Sequence, residues 1–149
     1  MLSRRSGFSL IELLIVVTVF AIVLAIGVPG YRQYLKRANR ADATAALLRI
    51  AAAQERFYLQ NGRYATTQNE LEAAPPAGLG TGKSEQDFYV LTLDPAPGGA
   101  TVAFIASATV RLNGSQHDDT ECWVFSVNER GQRTAFSQGG DPNEEICWR

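Results

Sequence analysis

Histidine and methionine are almost missing from this chain, with one of each in 149 residues. A single histidine, His117, excludes a multi-histidine metal site and leaves a histidine-based catalytic triad little to build on. There are two cysteines, Cys122 and Cys147, and no CxxC spacing, so zinc-ribbon and thioredoxin-type motifs are excluded. No nucleophile–base pair stands out, so neither an enzyme nor a cofactor nor a metal is expected. An excess of charge is lacking too. Lys+Arg number 14 against 15 Asp+Glu, a net charge of −1, and beyond Pro29 the count is twelve against fourteen. That balance speaks against a bulk nucleic-acid binder and leaves a local basic patch open.

The longest absence is of charge between residues 13 and 28. Counted from Phe8, the apolar run is about 21 residues, close to the ~20 that a bilayer-spanning helix needs. Arg4 and Arg5 precede it, which holds the N-terminus in the cytoplasm and sends the rest across. A secretory signal peptide is one reading, since Ala25-Ile26-Gly27 faintly resembles a small-x-small cleavage site. The run is longer than a usual signal core, holds a carboxylate, and is followed at once by Pro29. A plain anchor is the second reading, and it leaves Glu12 unexplained. A carboxylate in the membrane costs about 2.5–3.5 kcal/mol on insertion scales, less near the interface.

The third reading is a resemblance. Gly7-Phe8-Ser9-Leu10-Ile11-Glu12-Leu13 is similar to the class III signal of type IV pilins and the related pseudopilins. The resemblance implies a leader, 1–7, removed by a prepilin peptidase that cuts between Gly7 and Phe8 and methylates Phe8. It implies a hydrophobic stem, 8–29, and a pilin globular domain, 30–149, closed by a disulfide near its C-terminus. Glu12 falls at the family's assembly glutamate and Pro29 at its stem-helix proline, a site of kinking. Cleavage would leave a positive amine on Phe8, and in a bilayer an amine and a carboxylate each need an opposite charge. Glu12 can meet the amine of a neighbouring subunit or, one helical turn away, its own.

From Tyr31 to about Gln60 the sequence is rich in helix formers and free of proline. Leu47, Ile50, Ala51, Phe57 and Tyr58 form an apolar stripe, with Arg40, Asp42, Arg49, Glu55 and Arg56 on the polar face. Stem and amphipathic segment together predict one helix of about 50 residues, some 75 Å long, stopped at Asn61-Gly62. Residues 61–87 read as a loop with a short helix at Gln68–Ala74. Strands are expected at Phe88–Leu93, Thr101–Val110, Cys122–Val127 and Gln132–Phe136, giving a four-stranded antiparallel meander. The fold class is therefore α+β, a long N-terminal helix packed on that sheet, as the type IV pilin fold implied by the resemblance would have it. On an exported chain, an even cysteine count favours one disulfide, Cys122 to Cys147, over a reactive thiol pair.

Residues 52–64 and the closing Cys147-Trp148-Arg149 resemble PilE-like minor pilins, a group that includes the DNA-binding competence pilin ComP. The resemblance implies a structural subunit of a type IV pilus, serving twitching motility, adhesion or DNA uptake. Its partners would be other pilin subunits, the prepilin peptidase/methylase and the inner-membrane assembly platform. It would sit as a single-pass inner-membrane protein, domain periplasmic, before joining the extracellular filament. Two alternatives stand beside it. A DNA-capturing pilin would contact phosphates through Lys83, Arg111, Arg130 and Arg133, all in or near loops. A type II secretion pseudopilin shares the N-terminal features, but the disulfide and Cys-Trp-Arg ending favour a pilus. The polar loop His117–Glu121 suits exposed carboxylates better than calcium, and Asn113-Gly114-Ser115 reads as a turn before a glycosylation sequon.

Overall fold

The computed structural model describes residues 8–149. Its elements run α1 (Leu10–Asn61), α2 (Gln68–Glu72), β1 (Tyr89–Pro95), β2 (Phe104–Val110), β3 (Val124–Asn128), β4 (Arg133–Phe136) and α3 (Glu144–Cys147). The chain divides into two compact units, one ending at Leu35 and one covering Lys36–Arg149.

The first unit is the apolar part of α1. Its apolar side chains are uncovered: Leu10, Phe20 and Ile26 are among many that remain more than half exposed. Pro29 lies inside the helix, which runs through it. Proline has no N–H, so the carbonyl of Ala25 loses its usual helical donor. The helix stops where the sequence predicts. Gly62 takes a positive φ of 67° and its N–H donates to the Tyr58 carbonyl at 2.8 Å. The Asn61 side chain also donates to the Phe57 carbonyl at 3.0 Å, adding a bond in the last turn.

The second unit is built around one buried cluster. Ala43, Ala46, Leu47, Ile50, Ala53 and Phe57 come from α1, and Tyr89, Leu91, Phe104, Ala106, Phe125 and Ala135 from the sheet. The sheet order is β1-β2-β3-β4, every pair antiparallel. Burial alternates along β2, with Phe104, Ala106, Ala108 and Val110 inward, as a half-buried strand requires. Gln54 joins the apolar stripe although it is polar. Its amide accepts from Ala65 N–H (2.9 Å) and donates to Ala65 C=O (2.7 Å), so both polar atoms of its side chain are paired.

Three sequence expectations are corrected, and one element is added. Phe104, not Thr101, opens β2, because Gly98 and Gly99 both take positive φ (105° and 83°) and Val102 and Ala103 donate back to Gly99 in a longer turn. Cys122 precedes β3, which opens at Val124. A third helix, α3, carries Cys147. Arg40 and Asp42, placed above on the polar face, are buried, because two loops fold back over that side of the helix. The Asp42 carboxylate accepts from the backbone N–H of Gln86 at 3.0 Å and of Phe88 at 3.4 Å.

Candidate functional site

Three groups of sequence-predicted residues can now be placed. In the stem, Phe8 is 79% exposed and Glu12 is the one acidic residue of the first turn of α1. Among the described residues, Glu12 makes no ion pair. Gly7, together with the rest of the 1–7 leader including Arg4 and Arg5, lies outside the described residues.

The second group is the C-terminal closure. Cys122 and Cys147 form a disulfide, Cα–Cα 5.7 Å, and both are buried. The tail is held by more than sulfur. Trp148 Nε1 donates to the Thr134 carbonyl at 2.9 Å, and its ring meets Phe125 edge-on at 5.9 Å. Arg133 lies over that indole, 5.2 Å from the centroid.

The third group, the four candidate phosphate contacts, is not brought together. Asn128 pairs with Ile105 and Val124 with Thr109, so Arg130 and Arg133 lie at one end of the sheet. Arg111 follows Val110 at the other end, where Tyr89 begins β1, and Lys83 is in the loop before it. Strands of this length hold the two ends about 20 Å apart. Three of the four are also engaged. Arg111 pairs with Asp87 at 2.5 Å, Arg130 with Glu129 at 3.2 Å, and Arg133 stacks on Trp148.

The sequence reading missed a polar cluster that the fold assembles between α1 and the 111–121 loop. Arg40 donates twice to Asp119, Nε to Oδ2 at 2.7 Å and Nη2 to Oδ1 at 2.8 Å, and once to Glu121 at 3.1 Å. Gln116 is fully buried; its Nε2 donates to Asp119 Oδ2 and to the Lys36 carbonyl, both at 2.9 Å. Lys36 Nζ and Asn39 add two further bonds to the loop, at 2.7 and 3.1 Å. Hydrogen bonding to Asp119 raises the Arg40 pKa above its ordinary value, although burial opposes it. Asp119 therefore belongs to a buried ion pair and not to an exposed carboxylate loop. His117, Asp118, Asp119 and Glu121 form no metal-holding group among the described residues. The signal available in sequence was a charge pair 79 residues apart, which no local pattern reveals.

A second cluster caps α2. Thr67 accepts from the Glu70 N–H, and the Glu70 carboxylate accepts from the Thr67 N–H and from Arg63 at 2.5 Å. Burial pushes the Glu70 carboxyl up, but bonds from Arg63, Thr66 and Thr67 outweigh it and bring it down to about 2.

With an exposed apolar stem and a disulfide-closed α+β unit established, comparison with known proteins decides the family. The model described as "Type IV minor pilin ComP, DNA uptake sequence receptor" matches residues 29–126, and the prokaryotic N-terminal methylation motif matches residues 2–28. The chain belongs to the type IV minor pilin ComP family. It is 36% identical over 125 residues to the type IV major pilin protein PilA of Myxococcus xanthus, covering 84% of this pilin but only 53% of that relative's length. It is 35% identical over 112 residues to the type II secretion system core protein G of Pseudomonas aeruginosa, covering 71% of this chain and 77% of that one. The crystal structure of the Neisseria meningitidis non-core minor pilin PilV matches with a TM-score of 0.51 over 72% of this pilin and 93% of that chain, at 19% identity. That last likeness concerns the fold.

Proposed function

We propose that this pilin is a low-abundance structural subunit of a type IV pilus, anchored in the inner membrane by its stem and then assembled into the filament. The supporting observation is the apolar first half of α1. It is long enough to cross a membrane, no part of its most apolar stretch is buried by the protein, and it carries one carboxylate, Glu12. Such a surface needs lipid or other stems around it. The reading includes cleavage between Gly7 and Phe8, methylation of Phe8, and pairing of Glu12 with a Phe8 amine during assembly. Mass spectrometry of the mature protein tests it. The expected N-terminus is a methylated Phe8; a terminus at Leu2 or Val28 overturns it.

DNA capture is a second reading, favoured by the description of the family that matches residues 29–126. Salt-dependent binding of duplex DNA to the detergent-solubilised chain tests it, with a complex at low salt that dissociates as salt rises. A type II secretion role is the other alternative, since a core protein G of that system is 35% identical over 112 residues. Deletion separates that role, since loss of piliation marks a pilus subunit and loss of exoprotein export a pseudopilin.

A further inference from the structure

Within the second unit, Arg37, Arg40, Glu121, Ile146 and Arg149 line a cleft of about 430 Å³. Arg37 and Arg40 are three residues apart on α1, so they share one helix face. Arg149 arrives from the far end of the chain. It is delivered there by Cys147, bonded to Cys122, and by Trp148, bonded to the Thr134 carbonyl. Glu121 adjoins the same disulfide. Two separate chain segments, α1 and the C-terminal tail, thus bring three guanidinium groups to one cavity, and a third segment brings Glu121.

The charges do not cancel. Arg40 is matched by Asp119 and Glu121. Arg37 and Arg149 make no ion pair among the described residues. Arg40 is fixed by its two-point bond to Asp119, using Nε and Nη2. Its Nη1 has no hydrogen-bond partner among the described residues and is not buried away from solvent. The cleft therefore presents one rigid and two adaptable guanidinium groups, with positive charge in excess. Paired N–H donors in a plane match the oxygens of a phosphate group better than a point-charge anion such as chloride.

We infer that this cleft is a phosphate-binding site, taking a phosphate group either free or carried on a nucleic-acid backbone. The site is independent of the pilin reading, since it lies in the second unit and needs neither processing nor assembly. It also differs from the four scattered cations that the sequence offered.

The test uses the full chain in a neutral detergent, with arginine side-chain NMR signals as the readout. Inorganic phosphate is titrated against chloride at matched ionic strength, and a short DNA duplex is the second arm. The expected result is saturable movement of the Arg37, Arg40 and Arg149 signals with phosphate and not with chloride. Arg37→Gln and Arg149→Gln should each weaken the response at least about tenfold, and Arg49→Gln, on an exposed part of α1, should leave it unchanged. If the duplex competes with phosphate and shows the same variant pattern, the backbone phosphate is the source; if it does not compete, the ligand is free phosphate. A response equal for phosphate and chloride, or unaltered in the Arg37→Gln/Arg149→Gln double variant, overturns the site.

Discussion

Arg40 and Asp119 form a two-point ion pair, 2.7 and 2.8 Å, with 7% and 2% of their side chains exposed. The pair clamps the 111–121 loop to the helix. A buried pair like this contributes less net stability than its Coulomb attraction suggests, because both ions lose their water. Breaking one side is the costly event. Arg40→Met leaves Asp119 buried and uncompensated, and is expected to lower stability by about 3–5 kcal/mol. Arg40→Met/Asp119→Leu removes both charges and should recover most of that loss. Denaturant unfolding of the three proteins checks the order; a double variant as weak as the single one contradicts it.

The α2 cap should make part of the stability acid-sensitive. Glu70 is held at about 2 in the folded protein against an ordinary 4.5. A carboxyl depressed by folding contributes stability fully above its unfolded pKa and loses it as pH falls through the folded one. The Glu70 contribution is thus present above about pH 4.5 and fades toward pH 2. Glu70→Gln should flatten the stability profile across that window and change little in its slope near neutrality. Thr67→Ala, which removes the reciprocal cap bond, should cost about 1 kcal/mol. Thermal melts from pH 2 to 7 check both.

The disulfide closes a segment of 25 residues, for which the chain-entropy model gives about 3–4 kcal/mol. Cys122→Ser/Cys147→Ser should lose about that much. The loss should be uneven: α3 and Trp148 lose their tether, while β1 and β2 keep theirs. Hydrogen exchange, read residue by residue, is expected to show faster exchange first in 144–149.

For the stem, Glu12→Gln should leave membrane insertion intact, since it removes a charge from an apolar helix. Entry into filaments should fall sharply, because the Phe8 amine would lack its partner. Fractionation followed by quantification of sheared pili measures the two steps separately. Wild-type incorporation of the variant rejects the pairing.

The stem was legible because its signals are local. An unbroken apolar run, one carboxylate and a glycine–aromatic pair sit within 28 residues, and burial there depends on no distant segment. The end of α1 at Asn61-Gly62 was legible for the same reason. Strand limits were less so: two adjacent positive-φ glycines lengthened the first hairpin loop, and β3 opens two residues after Cys122.

Sequence by itself determined the fold class, the family and the single disulfide, since periodicity, a terminal motif and a count of two cysteines are properties of the chain read in order. Only the tertiary structure decided which charges are buried. Arg40 looked like any residue of a solvated helix face until the loop carrying Asp119 and Gln116 lay over it. Lys83, Arg111, Arg130 and Arg133 looked alike as loop cations until strand pairing placed them at opposite ends of the sheet. Arg37, Arg40 and Arg149 looked unrelated until helix and disulfide brought them to one cleft. Charge pairing acts through space at 3–4 Å, and the chain brings such groups together only when the whole domain has closed.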